Sequence, residues 1–223
     1  MLPVTLAAKP ADFDAKVRRP GLSAIRELIG KKRFKGFTGK SRKKLKDHPK
    51  DIPGDAFPPL WREAKDDLLR AYGRICAYAA LYIHPMTGGS SVDHFVPKSQ
   101  AWWRTYKWGN YRLCCSLMNS RKNHFEDVLD PFEVRPGMFA LDLVSLKAVV
   151  GPEAGAEAAE VQATITRLGL DEESYANALA EYFHAYHRGE IDRRYLRRHA
   201  PFLAAEMERQ GKTMVNPALA PPL

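Results

Sequence analysis

The sequence has few of the features that mark secreted or membrane proteins. It contains three cysteines, two of them adjacent, so a disulfide framework is not expected. Its apolar stretches are short and interrupted by charges, and residues 1–19 lack the apolar core of a secretory signal. These absences predict a cytoplasmic protein with reduced thiols and no contact with a membrane.

The chain is nevertheless long and apolar enough to build a core. Its 223 residues are 45% hydrophobic, which predicts one compact domain with extensions and excludes disorder of the whole chain. The 35 Lys and Arg residues outnumber the 26 Asp and Glu residues, which gives a formal net charge of +9. Such a surplus attracts polyanions, but charge alone does not choose between nucleic acid and anionic lipid headgroups.

The patterning predicts four regions in an α+β fold, with a small core surrounded by helices from both ends of the chain. They are a basic N-terminal region (1–54), the core (55–150), a C-terminal helical region that packs on the core (151–210) and a flexible tail (211–223).

Within these regions the apolar spacing predicts individual elements. Pro20 and Gly21 are expected to split the first helix, and the apolar face from Tyr175 to Tyr186 is interpreted as core, or alternatively as a docking face for another subunit. The predicted helices cover 11–29, 60–72, 175–186 and 196–207, and the predicted strands cover 75–83, 91–95, 139–144 and 146–150.

The densest charge lies between Lys31 and Lys50, where ten basic residues stand against one acid. Clustered cations release counterions when they neutralise a nucleic-acid backbone, so this basic segment is interpreted as an arm or loop that binds phosphate groups. A solvated linker stays the alternative. The members expected to contact nucleic acid are Lys40, Arg42, Lys43 and Lys44.

The region most informative about chemistry reads SSVDHFVPKS and then WWRTYKWGNYRLCCSLMNSRKNHF. A strand is predicted to end at Asp93 and His94, and a long loop follows. A second strand begins near Asn110, and a helix starts between Ser116 and Asn119. Such a layout brings together polar residues that are distant in sequence.

This region resembles the HNH endonucleases, which are built on a ββα-metal core. The family pattern is Asp-His at the end of a strand, a middle Asn, and a final Asn or His at the start of a helix, followed three residues later by Lys. The residues that match in order and type are Asp93, His94, Asn110, Asn119 and Lys122.

The resemblance implies a role for each matching residue. Phosphodiester hydrolysis needs an activated water and a cation at the scissile phosphate, and His94 is interpreted as the general base. Asp93 and Asn119 supply an anionic and a neutral oxygen, a pair that suits Mg²⁺, although Mn²⁺ would also fit. Asn110 is implied to hold the loop and orient the His94 ring, and Lys122 is predicted to contact phosphate. The alternative is an ordinary Asp-His dipeptide with two capping asparagines.

Aromatic and basic residues also alternate between Trp102 and Arg112. We expect the charges to face nucleic acid and about half of the aromatic rings to be buried. The residues predicted to contact nucleic acid in and near this segment are Lys98, Arg104, Lys107, Arg112 and Arg121.

One departure from the family pattern concerns zinc. Many relatives carry two Cys-x-x-Cys pairs that bind a structural zinc, whereas here the pairs read CAYA (Cys76–Ala79) and CSLM (Cys115–Met118). Each pair has lost one thiol to an apolar residue, so structural zinc is not expected. A mixed site of two thiols with His84 or His124 stays the alternative.

The resemblance extends to HNH proteins of prokaryotic anti-phage systems such as Septu and certain retron systems, where the nuclease works beside an ATPase. The shared phrases include DHFVPKS, Asp130-Pro131 and TITRLGL, over about residues 55–190. This implies antiviral defence, a DNA substrate, 5′-phosphate products and an ATPase partner. An RNA nuclease, for instance against tRNA, and a nucleic-acid-binding subunit with a vestigial site are the alternatives.

Overall fold

The computed structural model describes residues 1–38 and 40–213 and divides the chain into two compact units. The helical unit consists of Met1–Thr5, Arg74–Gly89 and the chain from Cys114 onward. The loop unit consists of Leu6–Gly73 and Ser90–Leu113. The four predicted regions stay a prediction, and residues 214–223 of the predicted tail lie outside the described residues.

The loop unit begins with a continuous helical stretch. A π-helical segment, Asp14–Arg18, passes directly into α1 (Arg19–Leu28), which confirms the helix predicted over 11–29. The predicted split at Pro20 is wrong, because the chain stays helical on both sides of Pro20, which follows the π-helical turn and is the second residue of α1. Gly21 is required there, because a Cβ atom would lie 2.3 Å from the Tyr106 ring.

The second helix of the loop unit supports the sheet. A 3-10 turn, Leu60–Ala64, continues into α2 (Lys65–Ala71), as the apolar spacing over 60–72 predicts. Its apolar stripe includes the buried Leu68 and Leu69, and α2 packs against β1 (Ser90–His94).

The predicted order of strand, loop, strand and helix is confirmed. β1 pairs with β2 (Tyr111–Cys115) in a two-stranded sheet, and β2 leads directly into α3 (Ser116–Lys122). The strand predicted over 75–83 is wrong, since this segment forms a single bridge between Ile75 and Tyr82. Ala80 has a positive φ of 50°, and its N–H donates to the Cys76 carbonyl, so the chain turns there instead of extending.

The helical unit contains the second sheet. β3 (Phe139–Asp142) and β4 (Lys147–Val150) pair antiparallel, with Phe139 opposite Val150 and Asp142 opposite Lys147. The Asp142 carboxylate accepts hydrogen bonds from the backbone of Val144 and Ser145, which fixes the turn between the strands. Both strands were predicted.

Four helices follow: α4 (Ala158–Leu168), α5 (Glu173–His187), α6 (Arg193–His199) and α7 (Pro201–Arg209). The prediction of one final helix is wrong, because Ala200, with φ of −137° and ψ of 63°, is not helical and Pro201 starts a new helix. The predicted core face of α5 is confirmed in part, since Tyr175 and Tyr186 are buried while Tyr182 is partly exposed.

The described residues therefore form an α+β fold with two short sheets. In the part of the chain that the structure describes, no helix combines the length and the apolar character that crossing a membrane requires.

Candidate active site around His94

The structure places the Asp-His pair at the end of β1, inside the loop unit. Asp93 is 4% exposed and His94 is 9% exposed. The rings of Trp61 and Tyr111 stand edge-on to the His94 imidazole, with centroid distances of 4.7 and 5.2 Å. Packing on two sides restricts rotation of the imidazole.

A backbone carbonyl fixes the hydrogen position on the imidazole. His94 Nε2 lies 2.9 Å from the Thr105 carbonyl oxygen, which also accepts a hydrogen bond of 2.8 Å from the Tyr111 hydroxyl. Because a carbonyl oxygen only accepts, Nε2 carries the hydrogen, and Nδ1 is the basic nitrogen of the neutral ring. Burial raises the pKa of Tyr111 above its ordinary value, so its hydroxyl stays a donor.

The side chain of Asn110 clamps the loop that joins β1 to β2. Its Oδ1 accepts from the Val96 N–H at 2.9 Å, and its Nδ2 donates to the Val96 carbonyl at 3.0 Å and the Arg104 carbonyl at 3.3 Å. Its own carbonyl accepts from the Phe95 N–H at 3.0 Å. One buried amide therefore connects the start of the loop with its later part.

The hydrogen bonds of Asn110 act on His94 indirectly, through the backbone of the loop. Asn110 holds the Arg104 carbonyl, and the next carbonyl along the chain, that of Thr105, accepts from His94. The role implied for Asn110, to hold the loop and orient the imidazole, stays a prediction that this geometry supports. Sequence reasoning missed Thr105, because a backbone carbonyl leaves no side-chain signal, and it placed Trp61 only within the helix predicted over 60–72.

Two aromatic side chains anchor the same loop. Tyr106 donates through its hydroxyl to the Pro58 carbonyl at 2.8 Å, and Trp108 donates through Nε1 to the Ala7 carbonyl at 2.7 Å. Both rings are buried, whereas Trp103 is 50% exposed. The expected mixture of buried and exposed aromatics is confirmed.

The predicted nucleic-acid contacts of the loop unit differ in exposure. Arg104 and Lys107 are exposed. Lys98 is partly buried with its Nζ 4.2 Å from the centre of the Trp61 ring, and burial lowers the pKa of Lys98.

Arg112 serves the loop itself in this structure. It is 3% exposed, its guanidinium donates to the carbonyls of Gly109 at 2.9 Å and Tyr111 at 3.1 Å, and it lies over the Phe95 ring at 5.1 Å. These contacts point inward, so the predicted contact between Arg112 and nucleic acid finds no support in this geometry.

The remaining predicted site residues lie on α3, in the helical unit. Asn119 is partly exposed and Lys122 is 1% exposed. Arg121 donates to the Leu168 carbonyl at 2.6 Å and forms an ion pair with Glu172. Arg121 therefore ties α3 to the end of α4 and to the residues before α5, and its predicted contact with nucleic acid stays a prediction.

The basic segment folds back onto α1 instead of extending as a free arm. The carboxylate of Glu27, which is 8% exposed, pairs with Arg33 at 2.9 Å and with Arg42 at 3.2 Å. The N–H groups of Leu45 and Lys46 donate to the Leu28 carbonyl. These contacts shape a groove of about 540 Å³ lined by Lys31, Lys32, Arg33, Lys35, Arg42 and Lys44.

The divalent-cation site predicted at the end of β1 stays a prediction. Among residues 1–38 and 40–213, no group of three or more His, Cys, Asp and Glu residues is arranged to hold a metal ion. The predicted site is of another kind, with one carboxylate from Asp93 and one amide oxygen from Asn119. Mg²⁺ accepts such a sparse donor set, because water and phosphate oxygens complete its octahedron.

The two histidines considered for a mixed zinc site make other contacts. His84 Nδ1 accepts from the N–H groups of Met86 at 3.3 Å and Thr87 at 3.4 Å. The His124 ring stacks on Phe125, with 4.9 Å between centroids. These contacts give the mixed zinc site no support.

No family model matches the sequence, and no curated protein is significantly similar to it. The likeness to HNH endonucleases therefore rests on the motif residues, their order along β1, β2 and α3, and the local geometry around His94.

Proposed function

We propose that this chain is a metal-dependent HNH endonuclease that hydrolyses DNA phosphodiester bonds. The observation that supports this most is the hydrogen bond from His94 Nε2 to the Thr105 carbonyl. It makes Nδ1 the basic nitrogen of a ring that is held by packing on two sides, as a general base requires.

In the proposed reaction, His94 Nδ1 accepts a proton from a water molecule as the water oxygen bonds to phosphorus. The bond from phosphorus to the 3′ oxygen breaks and the departing oxygen takes up a proton from solvent, which leaves a 5′-phosphate and a 3′-hydroxyl. Asp93 and Asn119 would hold Mg²⁺ or Mn²⁺, which supplies positive charge for the phosphate and the departing oxygen. Asn110 positions His94 through the loop. Lys122, which is 1% exposed, would contact phosphate only after a rearrangement that uncovers its ammonium group.

The charge distribution supports a polyanionic substrate. The formal net charge is +9, and the exposed residues Lys40, Lys43, Arg104 and Lys107 all belong to the loop unit. Phosphate contacts of this kind position a backbone without reading its sequence. Arg42 and Lys44 have carboxylate partners, so their contribution to binding requires sharing or exchanging those partners.

An RNA nuclease with the same residues is the alternative within this chemistry, because a phosphate-centred reaction does not distinguish RNA from DNA without a contact to the 2′-hydroxyl. A nucleic-acid-binding subunit without cleavage is the alternative outside it. A role in anti-phage defence beside an ATPase partner is proposed on the resemblance alone.

The test uses the purified full chain with supercoiled plasmid, single-stranded DNA and tRNA, each with Mg²⁺, with Mn²⁺ and with chelator. We expect plasmid cleavage with either ion and none with chelator. An Asp93→Asn variant should lose cleavage and keep binding. Cleavage of tRNA alone would replace DNA with RNA as substrate, and binding without cleavage under every condition would contradict the enzyme proposal.

A further inference from the structure

Two of the three cysteines share a small cavity in the helical unit. Cys76 and Cys115 both line a cavity of about 200 Å³, together with apolar side chains that include Leu81, Ile83 and Met118. Cys76 is 1% exposed, whereas Cys115 is partly exposed. The cavity is large enough for several water molecules or one small reagent.

The Cys76 and Cys115 thiols line the same cavity within hydrogen-bonding reach of each other, and their environments differ. The Cys76 thiol donates a hydrogen bond to the sulfur of Cys115. Burial raises the pKa of Cys76, so it keeps its proton. The hydrogen bond from Cys76, with further ones from the N–H groups of Met118 and Leu117, lowers the pKa of Cys115. The two shifts favour ionisation of Cys115 over Cys76, and a cysteine with a lowered pKa beside a second thiol is the more nucleophilic of the two.

We propose that Cys76 and Cys115 form a peroxide-reactive pair that closes to an intramolecular disulfide. This inference goes beyond the proposed nuclease function and does not depend on it. The oxidant is a hydroperoxide, which is small enough to reach Cys115 through the cavity.

The reaction proceeds in two balanced steps. The Cys115 thiolate attacks one peroxide oxygen and breaks the O–O bond, which gives a sulfenic acid on Cys115 and hydroxide, and the hydroxide takes up a proton to become water. The sulfur of Cys76 then attacks the sulfenic sulfur, an S–S bond forms, and the departing hydroxide takes the Cys76 proton as a second water. Two thiols are oxidised and one hydroperoxide is reduced.

The local backbone allows this closure. The Ala79 N–H donates to the Cys76 sulfur at 3.4 Å within the turn that follows Cys76, and Cys115 lies where β2 ends and α3 begins. A hydrogen-bonded pair of sulfurs must approach by about 1.5 Å to reach disulfide bonding distance. The adjacent cavity gives the side chains room for that movement.

The third cysteine provides a matched control. Cys114 is 0% exposed and neighbours Cys115 on β2, where successive side chains point to opposite faces of the sheet. We therefore expect Cys114 to remain a free thiol during the reaction.

The experiment treats the reduced full chain with hydrogen peroxide under native conditions and follows intact mass and proteolytic peptides. We expect the loss of two hydrogen atoms per chain and one new peptide that links Cys76 to Cys115. Three free thiols after treatment, a Cys114 disulfide or an intermolecular product would overturn the proposal.

Single variants separate the two steps. Cys115→Ser should abolish the disulfide, Cys76→Ser should stop at a sulfenic acid on Cys115 that dimedone captures, and Cys114→Ser should behave as the wild type. Alkylation of the wild type at neutral pH should modify Cys115 about tenfold faster than Cys76 or Cys114, and denaturant should remove this selectivity. Equal reactivity of the three thiols in the native wild-type chain would refute the proposed reactive pair, and this result does not depend on whether the variants fold.

Discussion

The surroundings of His94 and the basic segment are both parts of the loop unit that we propose to act on nucleic acid, and they are built in opposite ways. His94 is held by two rings and a backbone carbonyl, and the Asn110 amide fixes that loop at Val96 and Arg104. The basic segment from Lys31 to Lys50 is mostly exposed, and its ion-pair anchor on α1 is the carboxylate of Glu27.

This difference separates the residues that should determine the reaction rate from those that should determine the affinity for DNA. A proton transfer depends on one atom at one position, so a single change near His94 should reduce the rate without changing affinity. Electrostatic binding is a sum over many cations, so only a combined change in the basic segment should be measurable, and it should alter affinity and salt dependence instead.

The largest effect is expected for His94→Ala. Removal of the general base should lower the rate of DNA cleavage by about 10²–10⁴-fold, and the dissociation constant for uncleaved DNA should stay unchanged. The matched control is His184→Ala, which removes an exposed histidine of α5. Unchanged cleavage by the His94→Ala variant would show that His94 is not the general base.

A smaller effect is expected for Asn110→Ala, which removes the three side-chain hydrogen bonds to Val96 and Arg104. The buried partners left behind should lower the free energy of unfolding by about 1–3 kcal/mol, and looser positioning of His94 should lower the cleavage rate by about 10–100-fold. Urea denaturation and single-turnover kinetics measure the two effects. Asn177→Ala, on an exposed position of α5, is the control and should change neither.

The smallest effect is expected for the triple variant Lys40→Gln, Lys43→Gln and Lys44→Gln. DNA affinity should fall by about tenfold at moderate salt, and the slope of log affinity against log salt should flatten by about 2–3. Arg42 is retained because it pairs with the buried Glu27. The single-turnover cleavage rate at saturating DNA should not change.

The control for this variant replaces the same lysines with arginine, which keeps the charge and should keep the affinity. If the glutamine variant binds DNA as the wild type does, the basic segment is not part of the DNA-binding surface.

The sequence predicts the elements around the site well, because apolar periodicity decides them. The order of β1, loop, β2 and α3 follows from alternating apolar residues and from turn signals. The contacts of individual Lys and Arg residues do not follow from the sequence, because the identity of a charged residue does not show which way its side chain points. Arg112 is buried on β2 and Arg121 pairs with Glu172, and the contacts predicted for both with nucleic acid stay predictions.

Other features depend on contacts that no local pattern contains. The position of Gly21 under the Tyr106 ring explains why α1 tolerates a glycine in its first turn, and only the tertiary structure brings these residues together. The proximity of Cys76 and Cys115 is different, because the family resemblance already groups these two thiols as remnants of a zinc site, and the structure adds the cavity that they share.

The tautomer of His94 in the full-length chain tests the account most directly. Nitrogen-15 spectra of the imidazoles at alkaline pH, with His94→Ala to assign the signal, should show one ring in the neutral form with hydrogen on Nε2 and no exchange between tautomers. A His94 signal with hydrogen on Nδ1, or one averaged between both nitrogens, would contradict the proposal that the loop presents Nδ1 as a fixed general base.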